Sequence, residues 1–283
     1  MFSKAYVEAL EQRCSQVRRD LLTMLHEAKS GHSGGSLSSV EVMVALYFYK
    51  MKHNPENPGW EGRDYFILSK GHVCPTLYAV MAQAGYLPVE ELMTLRKMGS
   101  RLQGHPHRFK LPGLETSSGS LGQGLSIANG IALALKHDKK PNRVYCLLGD
   151  GEIQEGQVWE AAMTAAHYQL DNVCAIVDYN NLEIDGFVED VMGIYPIVDK
   201  WKAFNWHVQE CDGNDMASVM KAFDRAGQFK RKPTVIIAHT TKGKGVSFME
   251  NVDLWHGKIP KDDQLDQALA QLEGTCSLYK SWN

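Results

Sequence analysis

VYCLLGDG at residues 144–151 is the stretch that decides the fold: five apolar residues in a row, then glycine, aspartate and a second glycine. A short, unbroken apolar run has the pattern of a strand buried on both faces, and flanking glycines allow a tight turn where it stops. Residues 152–170, which follow, have the composition of a helix. Asp150 is therefore expected at the carboxyl end of a strand, just ahead of a helix. VCAIVDYNN at 173–181 repeats the arrangement with a second apolar run, 173–177, that ends in Asp178, Tyr179, Asn180 and Asn181. Similar runs stand at 65–68 and 234–238, separated by helical stretches. Strands alternating with helices imply parallel pairing. The expected class is α/β, a doubly wound and mostly parallel sheet with helices on both faces. Such sheets take ligands beyond the carboxyl ends of their strands, which is where Asp150 and Asn180 fall.

Outside this centre, Leu10, Cys14, Val17, Leu21 and Met24 recur at helical steps and predict a helix over 7–29, ended by Ser30 and Gly31. A second helix is expected from a Ser38 or Ser39 cap through Leu46, before turn residues at 54–59 break the pattern. Leu265, Leu269 and Leu272 predict a helical tail from about 261. With no linker and no repeat, residues 1–283 read as one domain.

Composition excludes several classes. A net charge of -3, with 30 basic and 33 acidic residues interspersed, gives no footprint for nucleic acid or an acidic membrane. The cluster Lys230, Arg231, Lys232 reads as a solvated turn. The N-terminus lacks the apolar core of a signal peptide, and no run of 18 apolar residues occurs. Six cysteines form no CxxC pair, and Cys146 and Cys174 lie inside apolar runs, as free thiols do. A soluble, cytoplasmic chain is expected.

GDG alone is a common strand-to-helix turn. Two adjacent strand ends that both carry oxygen ligands say more. Mg2+ takes six oxygens, and the Asp150 carboxylate, the Asn180 amide oxygen and a backbone carbonyl supply three. A site with a single carboxylate makes sense when the remaining ligands come from an anion, and a diphosphate fits. Amides at the start of the following helix would receive its oxygens.

GDGEIQEG at 149–156, followed by NNLEIDG at 180–186, is similar to the metal and diphosphate signature of thiamine diphosphate enzymes. SGHSGGSLSSVE (30–41), LSKGHVCPTLYA (68–79), GHPH (104–107), TSSGSLGQGLS (116–126) and TTKGKGVSFMENVDLWHG (240–257) extend the likeness to the transketolase family. The resemblance implies a thiamine diphosphate-binding fold of the diphosphate (PP) type. It implies Mg2+, with Ca2+ or Mn2+ as alternatives, held by Asp150, Asn180 and the carbonyl of Leu182. Gly151 would offer its amide to the diphosphate, Gly119 and Leu121 would meet the aminopyrimidine side, and Glu155 and Glu160 match acidic residues near the family's subunit interface. For Glu160 a helix-surface salt bridge is an equal reading.

Four histidines, His32, His72, His105 and His256, stand beside glycines. Imidazoles that gain and lose protons near neutral pH suit a reaction in which a hydroxyl loses a proton. By resemblance His32 and His256 face the sugar, His105 binds the transferred unit, and His72 lies against the cofactor, with His256 reaching it too. His26, His53, His137, His167 and His207 have no counterpart and read as surface or packing residues. Lys242 and Lys244 could reach a phosphate, but glycine-flanked lysines in a loop read as solvated, and Trp159, Trp201, Trp206 and Trp255 as core or interface anchors.

The resemblance further implies an N-terminal subunit of a split transketolase, moving a two-carbon ketol unit from a ketose phosphate to an aldose. The partner would be a C-terminal subunit with the pyrimidine and C-terminal domains, in a two-plus-two heterotetramer. Ser33, Ser120 and His107 depart from the family's usual residues, which bears on substrate detail. The alternatives are a subunit of a 2-oxo acid dehydrogenase or decarboxylase, against which the histidines argue, and a non-catalytic remnant of the fold.

Overall fold

Every strand of the sheet is parallel, in the order β1 (Tyr65–Leu68), β2 (Val144–Gly149), β3 (Val173–Tyr179), β5 (Thr234–His239) and β4 (His207–Asp212). The computed structural model describes residues 2–277, with side chains through 273; the side chain of Cys276 and residues 1 and 278–283 lie outside that span. The chain enters through α1 (Lys4–Ala28), whose first turn is capped by the Ser3 hydroxyl accepting from the Tyr6 amide. Leu10, Cys14, Val17, Leu21 and Met24 are its buried stripe. Its end is set by Lys29, in the left-handed conformation at φ 51°.

The second helical stretch begins earlier than Ser38. Helix α2 (Ser33–Ser38) starts directly after His32, breaks at Ser39, and resumes as α3 (Val40–Ala45) with a π turn at Leu46–Lys50. SGGSLS has no apolar period to announce a helix; tertiary bonds hold it. The Ser33 hydroxyl donates to the Lys258 carbonyl at 2.7 Å, and Thr76 donates to the Ser36 carbonyl at 2.7 Å.

Strand β1 (Tyr65–Leu68) leads through α4 (Cys74–Gln83) and α5 (Gln123–His137) to β2 (Val144–Gly149), α6 (Gly156–His167) and β3 (Val173–Tyr179). Residues 152–170 are not one helix. A 3-10 turn at Glu152–Gln154 comes first and Glu155 is extended, because the Glu152 carboxylate turns back to accept the amides of Gly149 and Gly122, both at 2.9 Å. Two short helices, α7 (Val188–Met192) and α8 (Ile197–Ala203), precede β4 (His207–Asp212), then α9 (Met216–Ala226), β5 (Thr234–His239) and the tail helix α10 (Asp262–Ser277). Strand β4 has no apolar run to mark it: as an edge strand paired only with β5, it alternates and exposes Glu210 and Asp212.

Alternate strand residues enter two cores, as a doubly wound sheet requires. Tyr145, Leu147, Cys174 and Ile176 pack with α1, α3, α4 and α9; Val144, Cys146, Leu148, Val173 and Ala175 pack with α5, α6 and α8. In the second core Trp201 is wholly buried, 4.9 Å from Trp206 and 5.2 Å from Trp159 between ring centroids. Replacing it by alanine removes the largest buried ring on that side. Trp201→Ala is expected to lower stability by about 3–5 kcal/mol, measured by urea unfolding, with Trp201→Phe losing clearly less. The five described thiols, Cys14, Cys74, Cys146, Cys174 and Cys211, are free and buried. No helix among the described residues is long and apolar enough to cross a membrane.

Candidate functional site

At the carboxyl ends of β2 and β3, Asp150 is almost fully buried and bridges the two strands: one carboxylate oxygen accepts the Gly151 amide at 2.9 Å, the other the Asn181 amide. Asn180, also buried, folds its side-chain oxygen over the Leu182 amide at 3.2 Å. The Leu182 carbonyl accepts from the Lys242 ammonium at 2.9 Å. The expected oxygen set thus lies within one knot of chain. Burial, then the negative charge of Asp178, pushes the Asp150 carboxyl up to about 7, against the two amides that favour its charge. A carboxylate in that condition is relieved by a cation. Among the described residues no group of three or more His, Cys, Asp or Glu side chains could hold a metal ion. A cation here would therefore rely on amide and carbonyl oxygens and on an anionic ligand, a donor set that suits Mg2+.

Beneath this knot lies a charged floor absent from the expected residues. Asp178 is wholly buried and accepts from the Lys70 ammonium, from Ser38 at 2.6 Å, Ser39 at 3.1 Å and Thr240. Burial alone would raise its carboxyl, but the Lys70 charge and these hydroxyls hold it below the usual value. Glu152, equally buried, accepts from Ser69, Gly122 and Gly149 and so joins the ends of β1 and β2 to the start of α5. Lys242 belongs to the same surroundings. It is 1% exposed, not solvated, and donates to the carbonyls of Leu182 and Glu183 and to the His256 ring. Lys244, by contrast, is half-exposed beside Glu250. The signal for Lys70, Asp178 and Lys242 was position: each follows an apolar run by four residues or fewer, where parallel strands converge.

The structure brings the four glycine-flanked histidines together. Ring centroids lie at 5.1 Å for His32 and His72, 5.6 Å for His32 and His256, 5.3 Å for His72 and His256, and 6.5 Å for His32 and His105. Close loop packing makes this possible. A side chain at Gly34 would meet Lys242 at 3.0 Å and the Trp255 carbonyl at 3.1 Å, and one at Gly71 would meet Ser118 at 2.5 Å. Burial, then neighbouring positive charge, lowers all four: His32 to about 4 beside Arg96, His256 to about 3 beside Lys242, with His72 and His105 lowered by burial and then by Lys70 and Arg96 respectively. The rings are neutral at pH 7. The Lys242 ammonium can only donate, so His256 Nδ1 accepts and its proton sits on Nε2.

The remaining expected positions differ in how they meet this cluster. Gly119 lies against the His105 ring, 3.3 Å from where its Cβ would be. Leu121 is exposed, and Glu155 is exposed with its Cβ packed beside Gly122. The Gly151 amide, expected to face a diphosphate, is engaged by Asp150, and Glu183 covers its Cα. Glu160 is exposed on α6 and forms no ion pair among the described residues, so the salt-bridge reading fails. His26 binds the Pro260 carbonyl and Asp262; His53 binds Tyr86 and the Tyr47 carbonyl. Both are packing residues, as expected.

Residues 10–275 match the family model described as transketolase, thiamine diphosphate binding domain. The chain is 43% identical over 264 residues to the 6-deoxy-6-sulfo-D-fructose transketolase subunit SqwG of Clostridium sp. (strain MSTE9), covering 93% of this chain and 96% of that one. It is 42% identical over 266 residues to one of the subunits of apulose-4-phosphate transketolase from Phocaeicola vulgatus, covering 94% of each. Among solved structures, transketolase from Campylobacter jejuni superposes with a TM-score of 0.89 at 33% identity, over 93% of this chain and 42% of that one.

Proposed function

The chain belongs to the transketolase family, and we propose that it is the N-terminal, thiamine diphosphate-binding subunit of a split transketolase that moves a two-carbon ketol unit from a ketose phosphate to an aldose. The observation that carries this reading is the meeting of two features through Lys242: a buried oxygen set on the ends of β2 and β3, and the neutral histidines His32, His72 and His256 packed within 5.6 Å of one another with His105 at 6.5 Å from His32. When bound, thiamine diphosphate supplies the carbanion chemistry. Asp150, Asn180 and the Leu182 carbonyl would hold Mg2+. Lys242, an ammonium buried beside that carbonyl, would meet the diphosphate together with the Gly151 amide once a cation draws Asp150 away from it. His72, Gly119, Leu121 and Glu155 would line the cofactor's other side.

His32, His105 and His256 would act on the sugar. Neutral imidazoles accept a proton from a hydroxyl and return it, and each ring also offers a donor to fix an adjacent oxygen. His256, with Nδ1 occupied by Lys242, presents only its Nε2 proton and therefore orients an oxygen. His32 Nδ1 is buried and has no hydrogen-bond partner among the described residues, which leaves it free to bind an oxygen.

A second polypeptide would complete the site. Both relatives named as subunits are matched over 94–96% of their length, whereas the Campylobacter jejuni enzyme is matched over 42%. Exposed apolar side chains, Leu121 ahead of α5, Met163 in α6 and Tyr168 at its end, and Ile184 and Met192 after β3, suit burial under a partner. We place the pair in a two-plus-two heterotetramer in the cytoplasm. The test is reconstitution with the complementary chain, thiamine diphosphate and Mg2+. Ketol transfer from xylulose 5-phosphate, apulose 4-phosphate or 6-deoxy-6-sulfo-D-fructose to an aldose is the expected result. Release of CO2 from a 2-oxo acid without ketol transfer overturns it.

A further inference from the structure

An ion pair closed off from water lies behind the loop that carries Lys242. Arg18 of α1 and Glu41 of α3 have side chains only 7% and 8% exposed, and one guanidinium nitrogen donates to both carboxylate oxygens, at 2.6 and 2.8 Å. The pair does not close on itself. Arg18 Nε donates to the Lys244 carbonyl at 3.0 Å, and Glu41 also accepts from the Asn214 amide nitrogen at 3.1 Å. The Asn214 side-chain oxygen then accepts the backbone amide of Thr241 at 2.7 Å. The network grips the backbone on both sides of Lys242, the Thr241 amide before it and the Lys244 carbonyl after it.

A buried ion pair is weak evidence for stability, since well-packed apolar residues of similar volume often serve as well or better. What apolar residues cannot do is donate to the Lys244 carbonyl or hold Asn214 in the orientation that receives the Thr241 amide. The loop has other ties, such as the Gly243 amide on the Gly34 carbonyl at 3.0 Å and the Asn251 amide on the Lys242 carbonyl at 2.9 Å. Those attach its middle, and the Lys244 amide on the Thr241 carbonyl at 3.2 Å closes the turn, while the network takes the Thr241 amide and the Lys244 carbonyl.

We propose that Arg18, Glu41 and Asn214 are positioning residues that fix the backbone around Lys242, and thereby set how tightly the strand-end site takes a diphosphate together with its cation. This rests on the functional reading above. The test uses the complex assembled with the complementary chain, comparing wild type with Asn214→Ala and with the apolar pair Arg18→Met/Glu41→Leu. The Kd for thiamine diphosphate with Mg2+ is measured by calorimetric titration, and the urea midpoint is measured on the same samples. Both variants are expected to bind about 10-fold more weakly, in the range of outer ligand-orienting groups. The apolar pair should do so with a midpoint equal to or above wild type. Arg18→Lys, which keeps the charge but not the fork, should not restore affinity. Faster hydrogen exchange at the Thr241 amide in uncomplexed Asn214→Ala reads the same contact without cofactor. Unchanged Kd in both variants, or a loss matched by the unfolded fraction, overturns the proposal alone. A wild-type complex that takes up no thiamine diphosphate overturns the functional reading and this proposal with it.

Discussion

Asp150→Ala is expected to abolish Mg2+-dependent binding of thiamine diphosphate by the complex assembled with the complementary chain, while leaving the subunit folded. Asp150 is the one carboxylate in the proposed oxygen set, so its removal takes away the negative charge that set would offer a cation. The expected loss exceeds the roughly 10–100-fold seen when outer groups that merely orient ligands are changed. Stability responds differently. Alanine leaves the Gly151 and Asn181 amides without their acceptor, at a cost of about 1–3 kcal/mol for each that water cannot reach. Against that, it removes a buried carboxyl already pushed up to about 7 by burial and by Asp178. The two effects oppose each other, so the urea midpoint should move little. Cofactor titration with and without a chelator is the measurement. Wild-type affinity in the variant, with the same dependence on Mg2+, would falsify the ligand assignment.

What could be read from the chain was what repeats or clusters in sequence. The unbroken runs at 144–148 and 173–177 gave the parallel sheet because strands covered on both faces need apolar residues at every position, and the structure extends them only to Gly149 and Tyr179. Asp150 and Asn180 were legible because they stand where those runs stop. Strand β4 was not, since an edge strand with one wet face carries Glu210 and Asp212 and shows no run. Helix α2 was not, since its reason to exist is Lys258 and Thr76, distant in sequence. Lys242 illustrates the same limit. Between glycines a lysine looks solvated, and only the approach of α2 at Gly34, the Leu182 carbonyl and His256 encloses it. The four histidines could be grouped by their glycine neighbours, but their ring contacts depend on loops converging from 32, 72, 105 and 256.

The charged floor sets how well that convergence is fixed, and Lys70→Met measures it. The Lys70 ammonium and Asp178 carboxylate are 2% and 0% exposed, and Asp178 gathers donors from four segments: Lys70 after β1, Ser38 and Ser39 at the α2–α3 junction, Asn180 beyond β3, and Thr240 after β5. Methionine fills the volume of the lysine stem and supplies no charge, which strands a carboxylate in a site without water. Breaking one side of a buried pair costs about 3–5 kcal/mol, far more than the net contribution of the pair itself. Three hydroxyls and an amide stay on Asp178 and offset part of that, so a loss near the lower end is expected in urea unfolding. Lys70→Met/Asp178→Asn removes both charges and keeps one acceptor oxygen, for either Ser38 or Thr240, while its NH2 donates to the other hydroxyl; it should recover most of the loss. A double variant as unstable as the single one would show that Lys70 acts through packing rather than charge. In that case the segments carrying Ser38, Asn180 and Thr240 are held by their hydrophobic neighbours, and Asp178 is not the point that joins them.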